Sequence, residues 1–138
     1  MTKYAQDYNI KAVHAGAYGN GWAEDYTAAV KPVAGEKIYL GVLPAGVRIH
    51  ALTLSFAAAG AGGAITLGLE PLDGDLPAAN ATAFLPSTDV SAAGRAVAAF
   101  DPFTLQRPVA LVATVGATAF VNAPKITAVV NGKWVGVK

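Results

Sequence analysis

Cysteine is absent from the 138 residues, and there are only two histidines and one methionine. No disulfide, thiolate metal site or cysteine nucleophile can form, which fits a reducing compartment or a fold that needs no cross-links. Charge is scarce as well. Asp, Glu, Lys and Arg make up 14% of the chain and hydrophobic residues 54%, against roughly 25% charged residues in ordinary soluble domains. Monomers rarely tolerate large contiguous apolar patches, so the shortage predicts a surface that other protein molecules cover. The ten basic residues run from Lys3 to Lys138 with no two adjacent, for a net charge of +1. Without a basic stripe to meet phosphates, nucleic acid is not an expected partner.

Long helical and membrane-type patterns are also missing. The opening MTKYAQDYNIK has no apolar core of the kind a secretory signal needs. Ala51 to Leu69 carries no charge and approaches the ~20 residues of a membrane span. Glycines 60, 62, 63 and 68 interrupt it, however, and both its ends alternate, so strand, Gly-rich loop, strand is the reading and no membrane partner is expected. No segment sustains a 3.6-residue period.

What the chain has is alternation. Ile38, Leu40 and Val42 share one side of Lys37–Val42, and Leu43-Pro44-Ala45-Gly46 follows with Pro and Gly where a type II turn requires them. A second strand then begins at Val47. Its early apolar residues Val47 and Ile49 have the opposite parity to Leu52, Leu54 and Phe56, which predicts a bulge near Ala51. The two strands and their turn read as one long hairpin, the spine of the domain.

Further strands are expected at Ala64–Glu70, at Gly94–Phe100 and, lying deep, at Val109–Val115, with a short strand or a single turn of helix around Ala81–Leu85. Lys125–Val130 is another, with Asn131-Gly132 as a tight hairpin turn before a returning strand at Lys133–Val137. Seven to nine short strands punctuated by Gly and Pro predict an all-β antiparallel sandwich of jelly-roll type. Alanine, unusual in strands, implies close packing between sheets or between subunits.

Residues 1–36 differ from the β-sandwich body expected at 37–138. Tyr4, Tyr8, Tyr18, Tyr26 and Trp22 lie in this N-terminal segment, while every phenylalanine follows residue 55. Tyr and Trp suit half-wet contacts. The segment, with a strand at Ile10–Ala17, is either an ordinary first strand on its own sheet or an extended arm that docks on a neighbour through those five aromatics.

Reactive constellations are not found. His14 and His50 sit in expected strands with no acidic or histidine neighbour in sequence, so a zinc site or a nucleophile triad has no local basis. Glu70, Asp73 and Asp75 cluster, but neither their spacing nor the glycine between them fits an EF-hand, and a polar turn is the simpler reading. Gly60-Ala61-Gly62-Gly63 lacks the Lys-Ser/Thr of a phosphate loop. No catalytic, cofactor-binding or metal-binding residue is predicted, and no cofactor; the chain does not read as an enzyme.

The texture of these strands and turns resembles the small capsid decoration, or cement, proteins of tailed bacteriophages, in particular the jelly-roll cement protein of Bordetella-type short-tailed phages. Ile38-Tyr39-Leu40-Gly41 leading to Leu43-Pro44-Ala45-Gly46-Val47 carries it. So do Ile65-Thr66-Leu67-Gly68-Leu69, Ser87-Thr88-Asp89-Val90-Ser91, and Ala113-Thr114-Val115-Gly116-Ala117 followed by Ile126–Val130. The resemblance implies a virion structural protein, made in the bacterial host cytoplasm, that sits on the outer capsid surface and bridges neighbouring major capsid proteins. It also implies a homo-oligomer, a homodimer before a homotrimer. The competing reading is a carbohydrate-binding jelly-roll module, which would need exposed aromatics in one groove. A cupin-type enzyme would need His and Glu at metal-ligand spacing.

Overall fold

The computed structural model describes residues 2–4, 21–72 and 78–136. These form strands β1 (Thr2–Tyr4), β2 (Gly21–Ala29), β3 (Lys37–Leu43), β4 (Val47–Phe56), β5 (Ala64–Pro71), β6 (Asn80–Asp89), β7 (Gly94–Val97), β8 (Phe103–Thr104), β9 (Val109–Val115) and β10 (Lys125–Trp134), with no helix among them. One sheet has the order β1-β3-β9-β5-β6; the other has β2-β10-β4-β7, with β8 also paired to β4. All pairings are antiparallel except that of β1 with β3.

Pairing follows one rule from the outside of the chain inward. β2 pairs β10, β3 pairs β9, β4 pairs β7 and β8, and β5 pairs β6. The strands are thus a single long antiparallel ribbon folded over on itself, its rungs falling alternately in the two sheets. That is the jelly roll, closed by the β10·β4 and β9·β5 pairings.

The expected hairpin of residues 37–56 is therefore not one. β3 and β4 lie in opposite sheets, and Leu43–Gly46 is the corner that carries the chain between them. Ile38, Leu40 and Leu43 on one strand and Val47, Ile49, Leu52 and Leu54 on the other are fully buried, each set filling its own side of the core. Gly46, at φ 87°, makes the corner; its N–H donates to the Leu105 carbonyl at 2.8 Å, and its own carbonyl accepts from Val135 and Gly136. A Pro-Ala-Gly turn serves a hairpin or a sheet crossing equally well. The partner strand, not the turn, decides.

The bulge read near Ala51 is present. Asn131 on β10 pairs Ala51 while Gly132 pairs Ile49, so His50 is the extra residue; His50 and Ala51 both face solvent, and the inward parity changes there. Opposite it, Asn131-Gly132 is not a turn. β10 runs straight through both residues and keeps regular register with β2. The glycine is required for space, because a Cβ at position 132 would stand 2.1 Å from the Arg48 carbonyl oxygen.

Inward side chains fill the space between sheets in alternate positions: Leu111, Ala113 and Val115 with Ile65 and Leu67 from one sheet, Ile126, Ala128 and Val130 from the other. Each fully buried Leu, Ile or Val contributes roughly 1.5–3 kcal/mol of gross burial energy. Central β9 has nearly all its residues buried. At the end near β8, Phe84 stacks on Phe103 at 5.9 Å and meets Phe100 edge-on at 5.2 Å.

β2 belongs to the sandwich along its whole length, as a strand of the roll within the segment 1–36 expected to hold an arm and a first strand. Tyr26 shows why. It is 1% exposed, its ring occupies the room left by the missing side chain of Gly41, and its hydroxyl donates to the Val42 carbonyl at 2.9 Å. Burial first, and the Glu24 charge second, push its phenol pKa well above the ordinary value. This tyrosine ties β2 to β3 across the core.

On the outer side of the other sheet, Glu70 accepts hydrogen bonds from the Tyr39 hydroxyl at 2.6 Å and from Lys37. Partial burial disfavours the carboxylate, but the Lys37 and Tyr39 hydrogen bonds and the Lys37 charge outweigh it, and its pKa lies below the ordinary value. A lowered carboxylate pKa supplies stability above the ordinary carboxylate range that is lost as pH falls through the folded-state pKa.

Three outcomes follow from this packing. Gly132→Asn, harmless in a two-residue turn, is expected to destabilise by about 1–3 kcal/mol in guanidinium melts because the side chain meets the β4 backbone. Tyr26→Phe should cost about 1 kcal/mol through the unpaired Val42 carbonyl. Urea melts from pH 7 down to pH 2 should show Glu70→Gln less stable than the parent at neutral pH, with the gap closing as acid protonates Glu70.

Candidate interaction surface

Four connections meet at one end of the sandwich: residues 30–36 between β2 and β3, 57–63 between β4 and β5, 90–93 between β6 and β7, and 116–124 between β9 and β10. Residues 57–63, 90–93 and 116–124 contain no charged side chain. Their exposed residues are mostly small, Ala57, Ala58, Ala61, Ala92, Ala93, Ala117 and Ala119, with Thr118, Asn122 and Val121 (60% exposed) among them; residues 30–36 add Val33, 56% exposed, and the exposed Lys31.

This end is rigid for so glycine-rich a region. Backbone hydrogen bonds join the loops to one another: Gly35 to Gly116 at 3.0 Å, Phe120 to Pro32 at 3.1 Å, Val121 to Ala59 at 3.0 Å and Ala59 to Val90 at 2.9 Å. Phe120, 2% exposed, plugs the core beneath them. Gly60, at φ 103°, lies against Val121 so closely that a Cβ there would stand 2.6 Å from the valine Cβ.

Glu36 closes the first loop from below. It is 3% exposed, and its Oε1 accepts the Val33 N–H at 3.1 Å, while Oε2 is buried without a hydrogen-bond partner. Asp89 anchors the third loop by accepting from Ser91 N–H at 2.8 Å, and its hydrogen bonds with Ser91 hold its pKa below the ordinary value. The result is a hydrogen-bonded, charge-poor surface made mostly of methyl groups and backbone, with Lys31, Thr118 and Asn122 at its exposed positions. Such a surface loses little entropy on binding.

The residues expected to carry contact or chemistry are placed as follows. Trp22 is partly buried against the core from its own strand. Tyr4 lies in β1, opposite Tyr39 in the parallel pairing with β3. Tyr8, Tyr18, His14, Asp73, Asp75 and the strand expected at 10–17 fall outside the described residues. His50 is exposed at the β4 bulge, and Glu70 is engaged by Lys37 and Tyr39. Among the described residues no three His, Cys, Asp or Glu side chains converge as metal ligands. Val33 and Val121 were not singled out by sequence. For Val121 the available signal was the run of uncharged loops at 57–63, 90–93 and 116–124; Val33 sits in a loop that carries Lys31 and Glu36, and only the strand order brings it to the same end.

No protein-family model and no curated protein sequence matches the chain. Solved structures do. A chain in the capsid of Ralstonia phage GP4 matches with a TM-score of 0.76 at 18% identity, over 100% of each chain. One in the capsid asymmetric unit of cyanophage Pam1 matches with a TM-score of 0.63 at 20% identity, over 91% of this chain and 92% of that one. A third, in the acid-stable capsid of Helicobacter pylori bacteriophage KHP30, gives 0.60 at 16% identity over 84% and 90%. At these identities the likeness is one of fold: the same rolled sandwich occurs in the capsids of three phages.

Proposed function

We propose that this chain is a virion structural protein that decorates the outer surface of a phage capsid and stabilises it by bridging neighbouring major capsid proteins. The observation that carries this reading is the end-to-end fold match to a phage capsid chain, with 100% coverage on both sides. The charge-poor loop end, where Lys31 is the exposed charged residue of the four loops, supports it independently, as a place where the missing surface charge becomes an interface. Val33 and Val121 would seat in apolar recesses of the shell while the flat alanine surface around them excludes water. Many copies, each burying modest area, sum to a strong reinforcement, because a shell bound at several points cannot shed one contact without the others holding.

The N-terminal stretch before Gly21, with Tyr4, Tyr8 and Tyr18, is proposed as a second contact, reaching a neighbouring subunit. A homodimer is the proposed unit, since an isologous pairing covers the same patch on both copies. The carbohydrate reading has no support in the described aromatics. Trp134 is 7% exposed within the core, and Tyr39 is held by Glu70, so the two form no stacking platform.

Purified protein mixed with shells assembled from the major capsid protein of the same phage should co-sediment at a fixed stoichiometry. Val33→Asp combined with Val121→Asp is expected to weaken that binding at least tenfold and to leave the melting temperature nearly unchanged, because both side chains already face water. Deleting residues 1–20 should likewise weaken decoration while the nine strands from β2 to β10 remain folded. Light scattering is expected to give twice the 14.0 kDa chain mass. Absence of any shell binding by the parent protein would remove the proposal.

A further inference from the structure

On the outer face of the β2-β10-β4-β7 sheet, where that face meets the loop end, lies an open trough of about 560 Å³. Its floor is one register row: Thr127 on β10 pairs Ser55 on β4, and Ser55 pairs Arg95 on β7. Lys125, two residues before Thr127 on the same face, flanks the other side, and Ala57 closes the trough toward the loop end. Gly94 leaves its rim open; a Cβ there would already touch the Phe56 ring at 3.4 Å.

Arg95 and Lys125 are both exposed, and neither side chain pairs with a carboxylate among the described residues. Two like charges beside one depression repel each other, and an anion set between them relieves that repulsion while the Ser55 and Thr127 hydroxyls donate to it. The trough is too open to enclose a free ion on all sides. Its elongated floor across three strands suits an extended peptide laid on the sheet, with one acidic side chain pointing down. Because Ala57 belongs both to the trough and to the apolar loop end, a protein that covers those loops brings its own chain to this rim.

We propose that the Arg95–Lys125 trough receives an Asp or Glu side chain from the protein that covers the loop end, and that this charge contact sets the orientation in which the subunit docks. The identity of that protein as a capsid subunit rests on the function proposed above; the carboxylate preference of the trough does not. A buried apolar patch supplies affinity without direction, whereas a rim charge fixes register and accelerates encounter.

The test has two arms. In the first, the isotope-labelled protein is titrated with a tetraglutamate peptide, a tetraglutamine peptide and inorganic phosphate at constant ionic strength. Saturable amide shifts at Ser55, Arg95, Lys125 and Thr127 are expected with tetraglutamate, at least tenfold weaker with tetraglutamine, and lost in Arg95→Gln combined with Lys125→Gln. No shift with tetraglutamate, an equal response to tetraglutamine, or saturation by phosphate alone overturns the proposal. In the second arm, Arg95→Glu combined with Lys125→Glu, shown to be folded by its melting curve, should bind shells at least tenfold more weakly than the parent, with a shallower salt dependence. Equal binding at equal salt dependence overturns the trough while leaving the capsid reading intact. Failure of the parent to bind shells overturns the capsid reading, and the peptide titration then decides the trough by itself.

Discussion

Strand β10 hydrogen bonds to β2 on one side and to β4 on the other, and its register against both determines which side chains of that sheet point inward. Ile126, Ala128 and Val130 enter the core only because Thr127 and Val129 are turned out in the same rows as Thr27, Ser55, Asp25 and Thr53. A slip of one residue would exchange the two sets. The bulge at His50 absorbs the one mismatch between the two sides of β10, since β4 has to change its inward parity there while β2 does not.

Much of the sandwich could be read from the residues. β3, β4, β5 and β9 announce themselves through a period of two or a continuous apolar run, and the parity break between Ile49 and Leu52 located the bulge. Partner choice could not be read in the same way. Val47–Phe56 has an apolar face that would suit β3 as a neighbour just as well as β10, and a four-residue corner with Gly46 carries no information about which sheet comes next. Asn131-Gly132 misled for a related reason: glycine next to asparagine marks a tight turn when positive φ is needed, but close approach of the Arg48 carbonyl demands glycine too.

The interaction surface was legible as a quantity and not as a place. Scarcity of charge implied that some face is covered, yet alanine and glycine in loops have no periodicity that would assign them to one end. Only the alternation of strands between sheets brings 30–36, 57–63, 90–93 and 116–124 together. Tyr26 shows the opposite case, a residue type suited to half-wet contact that is 1% exposed in this fold. The glycine at position 41, inside a strand, was the available clue that another group comes close there.

The ribbon-like pairing has a kinetic side. Lys125 meets Ala29 and Leu43 meets Val109, so the outermost rungs join residues far apart in the chain. Those rungs close long loops, and each must overcome loop-closure entropy before any burial rewards it. Until β2 and β10 pair, the alternating apolar face of β10 and the backbone edges of both strands stay exposed. An incompletely rolled chain therefore presents adhesive strand edges, and a higher concentration of copies favours joining one another over closing the roll.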